Sequence, residues 1–230
     1  RFSIAPASAD ASFRRYFRVS FDDGSTRIVM DAPPEHEDCG PWLRTRQLFQ
    51  AARAAVPEVF AHDLEQGFLL LSDLGTTTYL DALRNGHPAH PLYMEALRTL
   101  VDIQRASVPN MLPDYGRTLL ERELELFPDW YVTRHLGVKM EDAQRRQLTG
   151  VFEKILAVNL AEPKVYVHRD YHSRNLMLPV TGSVTQTRPG VIDFQDAVYG
   201  PISYDLVSLL KDAYIEWDEE QALDWLIRYW

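Results

Sequence analysis

The feature that most constrains the fold of this 230-residue chain is a change of texture at Asp73-Leu74-Gly75. Before it, short β-type runs dominate. Tyr16 to Phe21 and Thr26 to Asp31 flank the turn Asp22-Asp23-Gly24-Ser25, a pattern that predicts a hairpin. Pro33-Pro34 ends the second run. Trp42 to Ala55 carries helical spacing, and Val59-Phe60-Ala61 and Phe68 to Leu71 read as two further short strands. Beyond the break, helices are expected at Leu92 to Ala106, Arg117 to Trp130, Glu141 to Ala161, Ser203 to Asp212 and Glu219 to Trp230. Short strands return at Val165 to Val167, Leu176 to Leu178 and Val191 to Phe194. The expectation is an α+β chain with a small antiparallel sheet lobe, residues 1–73, and a larger, mainly helical lobe, residues 74–230. The last helix carries no Gly, Asn or Pro stop signal, which reads as a C-terminal truncation.

Composition narrows the class. Hydrophobic residues make up 46% and charged residues 25%, so a folded globular chain is expected rather than a disordered or fibrous one. No apolar run is long enough to span a bilayer, and Arg1 to Asp10 lack a signal-peptide hydrophobic region, so the expected location is the cytoplasm. The only cysteine, Cys39, cannot form an internal disulfide. A net charge of -9 opposes nucleic-acid binding. No lysine precedes Lys139, so an anion held by the first half must use arginine, backbone amides or a metal.

The chemical signal is His168-Arg169-Asp170-Tyr171-His172-Ser173-Arg174-Asn175, followed by Leu176-Met177-Leu178 and then by Ile192-Asp193-Phe194. Phosphoryl transfer needs a carboxylate to accept the proton of an attacking hydroxyl. It also needs a carboxamide oxygen and a second carboxylate to hold magnesium on the phosphates. Asp170, Asn175 and Asp193 meet those needs in that order. Two other readings stay open. His168, Asp170 and His172 alternate, so on an extended strand they would face one side and could ligate zinc or manganese. Taken singly, the same residues could be a polar strand end and a strand with a capping aspartate; their combination favours phosphoryl transfer.

The stretch Val167 to Leu176 together with Val191 to Ala197 resembles the aminoglycoside phosphotransferase and choline kinase family, which has a bilobal protein-kinase-like fold. Within it, Ser8 to Arg18, Ile28 to Pro33, Leu71 to Gly75 and Asp193 to Ala197 are similar to the bacterial anomeric N-acetylmuramate/N-acetylglucosamine kinases of cell-wall recycling. The resemblance implies an ATP- and Mg2+-dependent transfer to an amino sugar, with Asp170 as base and Asn175 and Asp193 as metal ligands. It implies structural roles for His168 and for Asp205, which sits in Gly200 to Leu206; a charge favoured by a helix dipole is the alternative for Asp205. Residues 1–73 would be the nucleotide-binding lobe, Ser72, Asp73 and Leu74 belonging to the adenine hinge, and residues 74–230 the catalytic and substrate lobe. A monomer is expected, with no nucleic-acid partner and no membrane insertion. An aminoglycoside, choline or another small alcohol is the alternative acceptor, and a catalytically silent kinase fold the alternative activity.

The chain departs from the family pattern twice. Ser8 to Phe13, in the place of a phosphate-covering loop, has no glycine. The third-strand cation, due near Met30, is missing, and the helix from Trp42 to Ala55 has no Glu or Asp to pair with one. Losing both partners leaves no buried charge uncompensated. Arg14, Arg15, Arg18 and Arg27 are the nearby cations. Arg14 and Arg15 are the first candidates for phosphate, with solvated surface charges as the alternative. Trp130, Tyr131, His135, Asp196, Tyr214, Trp217 and Asp218 are candidates for the acceptor. The aromatic stripe at Trp225, Tyr229 and Trp230 reads as helix packing.

Overall fold

A computed structural model describes residues 1–9, 13–179 and 188–230. Strands β1 (Phe2–Ala9), β2 (Arg15–Phe21), β3 (Thr26–Asp31), β4 (Val59–Asp63) and β5 (Phe68–Ser72) form one antiparallel sheet in the order β1-β2-β3-β5-β4. The predicted hairpin is β2–β3, with Tyr16 opposite Met30 and Arg18 opposite Ile28. Because side chains alternate between faces, Tyr16, Arg18, Ile28 and Met30 share one face, joined by Leu69 and Leu71 of β5. Met30, Leu69 and Leu71 are buried there. Helix α1 (Cys39–Ala51) contributes Trp42 and Phe49 to the same core. It starts three residues before the predicted boundary, because the Asp38 carboxylate caps it by accepting from Gly40 N. Gly67, at φ +78, makes the β4–β5 turn, and its carbonyl accepts from Ala32 N at 2.8 Å. A Cβ there would lie 2.0 Å from Ala32 O, so glycine is required.

The rest is helical with four short strands: α2 (Tyr79–Arg84), α3 (Ala89–Arg105), α4 (Arg117–Leu126), α5 (Asp142–Ala161), β6 (Lys164–Val167), β7 (Leu176–Met177), β8 (Gly190–Val191), β9 (Val198–Pro201), α6 (Tyr204–Leu210) and α7 (Glu219–Tyr229). β6 pairs with β9 and β7 with β8, both antiparallel. Several sequence expectations need correction. β1, α2 and β9 had no predicted counterpart. The helix predicted through Trp130 becomes α-helical only to Leu126 and continues as a π-helical stretch, Phe127–His135, with Pro128 near its start. The strand predicted over Val191 to Phe194 stops at Val191, because Asp193 sits at φ +64, incompatible with a ladder. Residues 10–12 of the predicted phosphate-covering stretch lie outside the described residues.

One core joins the sheet to the helical body. Trp42 and Phe49 meet the Phe194 ring at 5.2 and 5.8 Å between centroids, and Val191 N donates to Ala55 O at 2.7 Å. At the other end, Trp225 of α7 is fully buried, stacked on Tyr93 at 4.0 Å and edge-on to Trp217. Its part of the aromatic stripe is packing, as its spacing predicts.

Candidate active site

β6 ends by delivering His168 into the core, where the imidazole is completely buried. Its Nε2 lies 2.9 Å from Ile192 O, which can only accept, so that nitrogen carries the proton; Nδ1 accepts from Asp170 N at 3.3 Å. Burial lowers the imidazole pKa to about 4, in keeping with this neutral form. Arg169 then turns the chain at φ +78. That turn breaks the alternation on which a His168–Asp170–His172 metal set depended. Among the described residues, no group of three His, Cys, Asp or Glu side chains is placed to hold a metal.

Asp205, near the start of α6, sets the loop from below. Its carboxylate accepts from His168 N at 2.6 Å and Arg169 N at 3.0 Å. Burial pushes this carboxyl up to about 7, against the pull of the two amides. Arg169 is further held by Glu123 of α4, which also accepts from the Tyr115 hydroxyl.

Asp170, Asn175 and Asp193 converge. The carboxamide Nδ2 of Asn175 donates to Asp170 O at 3.0 Å and to Asp193 Oδ2 at 3.3 Å, while Gln195 Nε2 donates to Asp193 Oδ1 at 2.8 Å. Sequence reasoning passed over Gln195; its signal was a polar residue two positions beyond a candidate ligand. Desolvation raises the Asp170 carboxyl above the ordinary aspartate range; His172 opposes that shift and Asp193 adds to it. With its amide donors directed at Asp170 and Asp193, Asn175 has its carboxamide oxygen to offer a cation. This all-oxygen pair, Asn175 and Asp193, suits magnesium, which takes few protein ligands and completes its shell with phosphate and water.

Ser173 N donates to Asp212 Oδ2 at 2.9 Å, His172 meets the Tyr214 ring edge-on, and Arg174 lies 4.7 Å over it. Asp212, Tyr214, Glu216 and Trp217 line a hollow of about 440 Å³ beside this loop. Of the candidate acceptor residues, Tyr214 adjoins the site and Asp196 accepts from Gln195. Trp217 donates to Tyr93 in the aromatic core and Asp218 caps α7. Trp130, Tyr131 and His135 lie on the π-helical stretch, all three exposed, with Tyr131 stacked between Phe127 and His135.

At the end of β5, Ser72 and Glu58 exchange two hydrogen bonds at 2.9 Å: Ser72 N donates to Glu58 O, and Glu58 N to the Ser72 hydroxyl. Asp73 accepts from Arg18 Nε at 2.6 Å and from Arg18 NH2 at 3.1 Å, and Gly75 N also donates to it. Leu74 packs against Gly190. Arg18 thus ties β2 to the segment that follows β5, and Arg18→Met is expected to lower the unfolding free energy by about 1–2 kcal/mol, measured by denaturant titration.

A small antiparallel sheet set on a mainly helical body, with two carboxylates and a carboxamide converging where α1 packs against the Asp193 segment, is the architecture of kinase-like phosphotransferases. The chain belongs to the phosphotransferase enzyme family, whose model matches residues 3–230. It is 50% identical to the N-acetylmuramate/N-acetylglucosamine kinase of Neisseria meningitidis over all of this chain and 67% of that protein. It is 48% identical to the enzyme of the same name from Pseudomonas aeruginosa over 99% of this chain and 65% of that one. The chain therefore spans about two thirds of the length of these relatives. Among solved structures it resembles choline kinase LicA from Streptococcus pneumoniae, with a TM-score of 0.68, 12% identity, and coverage of 99% of this chain and 74% of that one. The ADP-bound aminoglycoside phosphotransferase APH(2'')-Ib gives 0.65 at 15% identity, covering 99% and 76%. Likeness at that level speaks for the fold.

Proposed function

We propose that this chain is an ATP-dependent sugar kinase that phosphorylates the anomeric hydroxyl of N-acetylmuramate and N-acetylglucosamine, giving the 1-phosphate in peptidoglycan recycling. The observation that carries this reading is the convergence of Asp170, Asn175 and Asp193 in a chain half identical, along its whole length, to a kinase of that name. Residues 1–73 form the nucleotide lobe, with Ser72 to Leu74 as the adenine hinge, and residues 74–230 the catalytic and substrate lobe. Asp170 takes the proton of the anomeric hydroxyl as that oxygen bonds to the γ-phosphorus and the β–γ bridging oxygen leaves with ADP. Asn175 and Asp193 would hold magnesium, which offsets phosphate charge when bound. His168, neutral and buried, and Asp205, accepting two loop amides, hold Asp170 in place.

The test is ADP production with magnesium and ATP across N-acetylmuramate, N-acetylglucosamine, choline and kanamycin. Turnover with the N-acetyl amino sugars, and a product phosphate labile to mild acid as an anomeric phosphate is, supports the reading. Turnover confined to choline or kanamycin overturns it. Asn175→Ala and Asp193→Ala should each raise the magnesium concentration for half-maximal rate by about tenfold or more, with a matching loss of Mn2+ binding read by paramagnetic resonance. An unchanged metal titration counts against those ligands.

A further inference from the structure

In kinase-like sites a third-strand cation touches the nucleotide phosphates and is steadied by a helix glutamate. In this chain the β3 position is Met30, fully buried, and α1 (CGPWLRTRQLFQA) contains no acid. The structure nevertheless holds a cation–carboxylate pair on the same side of the sheet, moved by one strand and by a few residues. Arg14 immediately precedes β2, and the alternation of Tyr16 and Arg18, carried back one step beyond the strand, would place it on the face that carries Met30. Burial agrees: the Arg14 side chain is 11% exposed, whereas Arg15, on the opposite face and paired with Asp31, is 64% exposed. Glu37, in the lead-in to α1, grips this point twice. Its Oε1 accepts from Phe13 N at 3.1 Å, and its Oε2 lies 3.6 Å from Arg14 NH1. The Phe13 ring stacks on His36 at 4.4 Å, fixing the same junction.

We infer that Arg14, seated by Glu37, is the phosphate-gripping cation of this site, and that the two together replace the missing third-strand cation and helix glutamate. The inference rests on the ATP-dependent reading above. A guanidinium can engage two phosphate oxygens while keeping contact with a carboxylate, which a methionine at β3 cannot do. Arg15 has no such role, since it lies on the opposite face of the sheet with its side chain exposed to solvent.

The experiment is calorimetric binding of ATP and of adenosine, which has no phosphate, to full-length variants. Arg14→Met should weaken ATP by about tenfold or more and leave adenosine unchanged; Glu37→Gln should weaken ATP less, and Arg14→Lys should recover part of the loss. An ATP loss confined to Arg15→Met overturns the inference. So does unchanged ATP affinity in Arg14→Met. If Arg14→Met binds neither ligand, Glu37→Gln and Arg14→Lys decide: weakened ATP with normal adenosine supports the pair, and normal ATP in both overturns it. Wild-type protein that binds no ATP would instead sink the kinase reading itself.

Discussion

Asp170→Asn is expected to cut kcat by about 10³-fold while leaving ATP affinity within about twofold of wild type, because it removes a positioned base and little else. The main-chain contacts of the residue survive: Asp170 O still accepts from Asn175 Nδ2, and Asp170 N still donates to His168 Nδ1. The side chain lies at the edge of the site and outside the hydrophobic core, so exchanging a carboxylate for an isosteric carboxamide leaves the core intact. Single-turnover phosphate transfer with N-acetylglucosamine separates chemistry from product release. A variant with wild-type kcat removes Asp170 from the mechanism, and one that loses ATP binding as well points to a role for the carboxylate in the nucleotide site.

Asp205→Ala carries the second large effect, reached from outside the reacting atoms. The substitution leaves the His168 and Arg169 amides, both held by one buried carboxylate, without acceptors. Two orphaned donors of this kind cost about 2–4 kcal/mol of stability, to be measured by denaturant unfolding. The same amides fix the turn at Arg169, whose φ of +78 is unfavourable without support, so the loop that carries Asp170 should relax. At temperatures where the variant remains folded, kcat should fall by about 10²-fold with KM for ATP little changed. A stable variant with normal kcat would show that Asp205 is only a helix N-terminal charge.

The candidate constellation of Asp170, Asn175 and Asp193 was legible because its residue types are rare in combination and its spacing is short. Asp170 and Asn175 lie within one loop, and the hairpin strands Leu176–Met177 and Gly190–Val191 return the chain to Asp193. The large elements were legible for a similar reason, since the helical period of α3 and the two β-type runs flanking the Asp22 to Ser25 turn are local properties. β1 was missed because FSIAPASA alternates weakly and contains a proline, and an edge strand tolerates both. β9 was missed because Val198 to Pro201 is too short to show a period, and it owes its existence to pairing with β6.

The expectation for the nucleotide cation shows where the two levels divide. Sequence alone established that Met30 stands where a cation was due and that α1 has no acid to pair with one. It also supplied four nearby arginines and put Arg14 and Arg15 first, but it could not choose between those two, because neighbouring residues of a strand are alike until their partners are known. Tertiary structure gave each its surroundings: Arg18 pairs with Asp73, Arg15 with Asp31, Arg27 lies over Phe60, and Arg14, the more buried of the two first candidates, pairs with Glu37, 23 residues along the chain. A charge takes its role from the partner and solvent that surround it. Those partners come from strands and loops distant in sequence, so residue order determined the chemistry available and the fold decided which groups meet.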